Sequence, residues 1–374
     1  MLSLLFLVLI SSSQTAAGQP QNPASADPEE LVRAGIAAQG HGDNKSAIQD
    51  FQRALAIRPE MAEARVALGA ALAAAGQFDA AIEEDSRVLA SAPDNITVRM
   101  NLGTAYYKKG DFFHAREQFE TVHETRPLDV QAAVLLSYVY IKLDRDAAVV
   151  DLLMPLEPGH ESNMELEYCL AFSLIQTGKE KEGVPRMEKI AQATHSANAY
   201  VIAGSAHLHR REMSEAMADL DPAIHLDPSI PGLSTMVGEA QFALGEMTEA
   251  SASFEKALRS NPRDFTANLD LGAIELKERN YENARSLLEL ALELEPGFPL
   301  ARLEMAKLNE ATGKYAEAAA TLEELVKVNP RWFDAHWELA MVYFSLDRPE
   351  DGKRERQLAQ QLSAHQQNSE PDAK

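Results

Sequence analysis

The sequence predicts an all-α solenoid of about ten antiparallel helix pairs, and three observations carry the prediction. Prolines recur at a fixed step: Pro59, Pro93 and Pro127, then Pro228, Pro262, Pro296 and Pro330, stand 34 residues apart within each group, and the 101 residues between groups are one short of three steps. Small residues keep the same step. Gly35, Gly69, Gly103, Gly204, Gly238 and Gly272 lie 24 residues before a proline, and Ala47, Ala81, Ala115, Ala216, Ala250, Ala284 and Ala318 lie 12 before one. Third, Phe51, Phe119, Leu220, Phe254, Leu288 and Leu322 stand 8 before, with Asp85 the one exception in this series.

Residues 62–95 show why such a unit folds as a helix pair. Ala64 to Ala75 predict a first helix, with Leu68 and Leu72 sharing a face at i, i+4 spacing. Gly76, one of a second series with Gly42, Gly110, Gly178, Gly245 and Gly313, fits just past its end, where a left-handed residue closes the helix. Ala80 to Ala90 predict the second helix, which Pro93 cannot extend. Gly69 and Ala81 allow the two axes to approach closely. Neither helix can bury its apolar face alone, so each pair must stack on neighbours.

Residues 96–129, with Leu102, Gly103, Tyr106, Ala115, Phe119 and Pro127 in step, resemble the tetratricopeptide repeat. Units then start near 28, 62, 96, 130, 164, 197, 231, 265, 299 and 333 and cover roughly 28–366. The resemblance implies a right-handed superhelix with the first helix of each pair lining a concave groove, and a binding scaffold instead of an enzyme.

The array is degenerate at its centre. Ser137 stands in place of the glycine in the fourth unit, while Pro155, Pro185 and Pro222 fall within three successive expected second helices. An interior proline costs about 3 kcal/mol, so kinked or shortened helices, and a change of curvature or hinge, are expected between about 146 and 225; harmless drift is the alternative. Phe333 to Phe344 still reads as a first helix, and a Lys-, Arg- and Gln-rich helix from about Glu350 to His365 would cap the stack. The expected divisions are N-terminal repeats at 28–163, degenerate repeats at 164–230, and C-terminal repeats with the cap at 231–366. Pro-, Ser- and Asn-rich stretches at 19–27 and 367–374 are expected to be disordered.

Leu2 to Ile10 is an unbroken run without charge, followed by Ser11–Ser13 and Thr15-Ala16-Ala17-Gly18. This predicts a signal peptide over 1–18, although no Lys or Arg precedes the run. Export to a periplasmic or extracellular space is the expectation; an uncleaved anchor or a cytoplasmic adaptor is the alternative. Cys169 is the sole cysteine, which rules out an internal disulfide and suits a buried apolar position. With 35 Lys and Arg against 57 Asp and Glu, the formal net charge of −22 disfavours nucleic acid and anionic lipid. It serves solubility or a basic partner.

No motif points to catalysis. There is no His-Glu-x-x-His run, no Gly-x-Ser-x-Gly elbow and no phosphate-binding glycine loop. His207 and His209, two apart on a helix, face different ways, so no metal role is expected of them. Asp219 and Asp221 read as surface residues. No cofactor and no small-molecule substrate is expected.

What remains is binding. By resemblance, the groove residues of the third to fifth units are Met100, Thr104 and Tyr107, then Val134, Tyr138 and Ile141, then Tyr168, Phe172 and Ile175. Aromatic anchors of this kind suit an extended peptide or an amphipathic helix, unless tight curvature or the segment Gln19–Asp27 covers them. Toward the C-terminus the same positions give Leu300, Leu303, Lys307 and Glu310, then Asp334, Trp337, Met341 and Phe344, a second surface or a homo-oligomer contact. The family's clamp for acidic chaperone tails needs Lys at the fifth residue of a unit, and from Val32 to Trp337 none of these is Lys.

Overall fold

The computed structural model describes residues 27–369, and among the described residues there are twenty helices and no strand. They form pairs, one per predicted repeat. The first four pairs are α1 (Pro28–Gly40) with α2 (Asn44–Ile57), α3 (Ala62–Ala74) with α4 (Phe78–Ser91), α5 (Ile96–Lys109) with α6 (Phe112–Thr125), and α7 (Val130–Lys142) with α8 (Asp146–Leu153). Next come α9 (Met164–Gln176) with α10 (Glu180–Thr194), α11 (Ala197–His209) with α12 (Met213–Leu226), and α13 (Leu233–Leu244) with α14 (Met247–Ser260). The last three are α15 (Phe265–Lys277) with α16 (Tyr281–Leu294), α17 (Pro299–Ala311) with α18 (Tyr315–Val328), and α19 (Phe333–Ser345) with α20 (Pro349–Ser369). The chain divides into two compact units, one ending at His160 and one beginning at Glu161. The expected signal peptide at 1–18 and nearly all of the linker at 19–27 lie outside the described residues. Helix α20 reaches Ser369, past the expected end of the cap.

The third repeat shows the local causes. Asn95 ends its extended backbone by accepting the Val98 N–H at 3.2 Å, which caps α5. Gly110 closes the helix in the left-handed region at φ 87°. A side chain at Gly103 would place its Cβ 2.7 Å from the Phe119 ring, so glycine there lets α5 lie directly on the α6 aromatic. Phe119 is wholly buried with Ala115, Leu136 and Val139, which joins the third repeat to the fourth.

Where the second glycine series is interrupted, the backbone keeps the same conformation. Asp144, Arg211, Arg279 and Asp347 take φ of 54°, 61°, 66° and 58° at the position that Gly110 and its equivalents hold elsewhere. The hairpin geometry therefore overrides residue preference, at about 1–2 kcal/mol for a residue with a Cβ.

At the degenerate centre one of the three second helices is shortened. Helix α8 stops at Leu153, before Pro155, and has 8 residues against 14 in α6. The other two prolines do not shorten their helices: α10 runs 15 residues through Pro185 and α12 runs 14 through Pro222. The carbonyls these prolines leave unbonded belong to Lys181 and Ala218, both exposed, so water can satisfy them.

Candidate interaction face

Successive first helices touch one another. In the first unit α1 meets α3, α3 meets α5, and α5 meets α7; in the second the same holds from α11 through α13, α15 and α17 to α19. No consecutive second helices make comparable contact among the described residues. Within each unit the first helices are thus the inner row, and their free sides form the face expected to bind.

The predicted anchors are only partly free. In the first unit Met100, Thr104, Tyr107, Tyr138 and Ile141 are half-buried. Val134 is 3% exposed and offers no surface. In the second unit Tyr168, Phe172 and Ile175 are half-buried against a core of Ala171, Val184, Met187 and Ala203. Tyr168 and Phe172 are therefore structural as well as accessible, and burial pushes the Tyr168 hydroxyl pKa up. Leu303, placed on the second surface, is 1% exposed, whereas Leu300 and Trp337 are 41% and 38% exposed. Val134 and Leu303 share a position. Each is the fifth residue of its unit, where Val32, Thr235 and Leu269 are also buried, Met100 and Tyr168 are half-buried, and Trp337 is exposed.

The second unit presents a feature that the motif reading missed. Asp270, Glu304 and Glu338 stand 34 residues apart, each the sixth residue of its unit, and each is half-buried on the inner row. Burial first, then the charges of Glu239 and Glu304, pushes the Asp270 carboxyl up to about 7. Burial likewise raises Glu239, Glu310 and Glu338; Asp264 adds to the shift of Glu239, and Glu310, Glu304 and Asp334 oppose ionisation of Glu338. Lys307, bonded to Glu304 at 2.8 Å, is the cation that offsets part of this at Glu338. Four helices thus carry half-buried acids, and burial together with neighbouring carboxylates opposes the ionisation of Glu239, Asp270 and Glu338. The exact 34-residue recurrence was visible in the sequence, but attention to the family's usual groove positions passed over the sixth.

Other features are separate from the run of acids. An open, mostly apolar pocket of about 770 Å³ is lined by Phe298, Leu300, Val328, Pro330 and Trp332. Cys169 is fully buried as expected, and burial followed by the Glu165 charge pushes its thiol up to about 12. Asp219 is not a surface residue. It is 6% exposed and faces His207 from α12, because α12 packs this side on α11.

Comparison with known proteins agrees with the fold. Tetratricopeptide-repeat profiles match residues 32–96, 236–299 and 275–341. The crystal structure of a tetratricopeptide repeat protein from Parabacteroides merdae is similar at 18% identity and TM-score 0.50, over 71% of this chain and 98% of that one. Yeast Tom70 aligns with 92% of this chain and 97% of its own at 14% identity and TM-score 0.35. YrrB, described as a TPR protein with an unusual peptide-binding site, aligns with 52% of this chain and 97% of its own at 19% identity and TM-score 0.44. No curated protein matches the chain. Repeated helix pairs, profile matches in both units and a shared solenoid fold place the chain in the tetratricopeptide-repeat family, a fold of protein-interaction scaffolds.

Proposed function

We propose that the chain is a non-enzymatic scaffold that holds a protein or peptide partner along its first-helix face, in the bacterial cell envelope. The observation that carries the binding reading is the run Glu239, Asp270, Glu304 and Glu338 in the second unit. Burial and neighbouring acids raise the pKa of Glu239, Asp270 and Glu338, so Lys or Arg side chains of a partner would relieve the cost of their charge. Exposed Leu300 and Trp337 beside the run supply apolar contact. The partner favoured is therefore a basic segment with apolar residues between its charges.

Support for the envelope comes from the apolar run Leu2–Ile10 and the small residues after it. A membrane-tethered or cytoplasmic adaptor, or the substrate-recruiting subunit of an enzyme complex, is the competing reading. Protein sequencing of the native N-terminus separates these: a start near Gly18 or Gln19 supports export, and an intact Met1 argues against it. No helix among the described residues is long and apolar enough to cross a membrane.

Fluorescence anisotropy with labelled Lys/Arg-rich and Asp/Glu-rich peptides tests the face. Basic peptides are expected to bind more tightly, and to weaken as salt rises. Combining Asp270→Asn with Glu338→Gln should weaken them by roughly tenfold, the loss of about 1.4 kcal/mol. Equal binding of both peptide classes, or binding indifferent to the double variant, would sink the charge argument.

A further inference from the structure

His207, in α11, is 7% exposed and surrounded by acids from its own turn and both neighbouring helices. Its Nδ1 lies 2.8 Å from Glu212 Oε2, and its Nε2 lies 3.2 Å from Glu188 Oε1 and 3.7 Å from Asp219 Oδ2. An ionised carboxylate only accepts, so the Glu212 bond puts a proton on Nδ1. Glu212 is itself held, because its other oxygen forms an ion pair with Arg210 Nη2 at 2.7 Å. Neutral imidazole then turns the Nε2 lone pair toward two carboxylates. One ligand atom each from Glu188, His207 and Asp219 lies within 4.8 Å of the others.

Asp219 is the observation that a proton does not explain. Its side chain is 9% exposed, and its buried Oδ2 has no hydrogen-bond partner in the protein. A second proton, on Nε2, would satisfy Glu188 but is too far from Asp219 for a hydrogen bond. A divalent cation among the three atoms satisfies all of them. Four-coordinate zinc, with nitrogen and oxygen ligands at about 2.0–2.2 Å, sets neighbouring ligand atoms about 3.3 Å apart. The 3.2 and 3.7 Å separations are near that value. One imidazole with two carboxylates in so small a ring suits zinc better than calcium or magnesium, which take six or more oxygens.

Equivalent places elsewhere in the chain show what is special here. In the fourth and tenth repeats the eleventh residue is tyrosine. Tyr140 donates to Glu120 at 2.9 Å and Tyr343 to Glu323 at 2.7 Å, with the guanidinium carbons of Arg145 and Arg348 5.9 and 4.1 Å from the ring centres. The sixth repeat keeps the acid as Glu188 but replaces Tyr with His207 and Arg with Glu212. Asp219 adds a third acid. A phenol donor held by a cation has become an imidazole oriented by a carboxylate, the arrangement that fixes histidine as a metal ligand. Glu188 and Glu212, 35% and 32% exposed, leave a side open for entry and for a water ligand.

We propose that Glu188, His207 and Asp219 bind a zinc ion that ties α10, α11 and α12 together, with Glu212 orienting the imidazole. Isothermal titration calorimetry of the full chain with zinc is expected to show one site with a Kd of about a micromolar or tighter, and a Tm that rises with zinc. His207→Gln or Asp219→Asn should abolish that site, and Glu212→Gln should weaken it about tenfold or more. His207→Tyr combined with Glu212→Arg reinstates side chains that the fourth and tenth repeats already carry, so it should fold and bind no zinc. Cobalt substitution should give the visible spectrum of a four-coordinate ion in the wild type alone. The proposal falls if zinc binds only weakly and at many sites, or if the Tyr/Arg variant takes up the same stoichiometric zinc.

Discussion

Asp85 in the second repeat and Asp219 in the sixth are both buried carboxylates on a second helix, 1% and 6% exposed, yet their surroundings differ in kind. Asp85 takes the place that Phe51 and Phe119 fill beneath Gly35 and Gly103; a Cβ at Gly69 would lie 2.5 Å from its Oδ1. Neither of its oxygens has a hydrogen-bond partner, and the one charge acting on it, Glu84, is of its own sign. Burial, with Glu84 adding, pushes it up to about 7. Asp219 is raised by burial and Glu188 to about 6, but His207 pulls the other way. On His207 itself burial acts downward and is outweighed by Glu212 and Glu188, so its pKa is raised. The same residue type in the same stack is a defect where an aromatic belongs and a ligand where an imidazole faces it.

The largest effect should come from removing the defect. Asp85→Leu places there the residue type that Leu220, Leu288 and Leu322 supply in other repeats. Above neutral pH the gain should be on the order of 4 kcal/mol, since a pKa raised from 3.8 to about 7 measures the cost of the buried charge at about 1.36 kcal/mol per unit. The shift of the urea midpoint of the first unit measures it. No stabilisation would mean that the carboxylate is satisfied and the comparison fails.

The wild type should also report this acid through pH. Between the ordinary value of 3.8 and the folded value of about 7 the folded chain binds a proton at Asp85 that the unfolded chain does not. Stability from this group is therefore full below about pH 4, falls as pH rises toward 7, and is flat above. Asp85→Asn should remove that slope while leaving the rest of the pH profile, and an unchanged slope would assign it to other acids such as Asp270.

How far these sites were legible follows from what sets them. Periodic prolines and glycines mark turns through local backbone constraint, so the helix pairs could be read residue by residue, and Asp85 stood out as a break in a series. Burial of Val134 and Leu303 depends on how closely successive first helices approach, which hydropathy does not encode. The zinc ligands come from three helices, with His207 19 residues from Glu188 and 12 from Asp219. A search for paired ligands on one helix passes over such a set. Pro185 and Pro222 do not shorten their helices, and the bonds they remove end on exposed residues.

A smaller effect tests the tyrosine version of the slot. Tyr343→Phe keeps the ring under Arg348 and removes only the 2.7 Å bond to Glu323. A loss of about 1 kcal/mol is expected by thermal or urea unfolding. Tyr140→Phe should behave alike, since Tyr140 and Tyr343 are both pushed up to about 12 by burial and then by the bonded glutamate. If neither substitution costs stability, the phenol bond is not what the sixth repeat gave up in exchanging tyrosine for histidine.

The smallest effect concerns the hairpins. Arg279 holds a left-handed backbone, at φ 66°, that Gly245 and Gly313 hold in the repeats on either side. Arg279→Gly relieves the Cβ strain of about 1–2 kcal/mol but gives the unfolded chain more freedom, so a net gain of roughly 0.5 kcal/mol is expected. Asp144→Gly should gain less, because aspartate enters the left-handed region more readily. Ranking the two by urea midpoint separates residue strain from hairpin geometry: strain predicts Arg279 above Asp144, and equal gains would show that the turn is held by the packing of its two helices whatever residue occupies it.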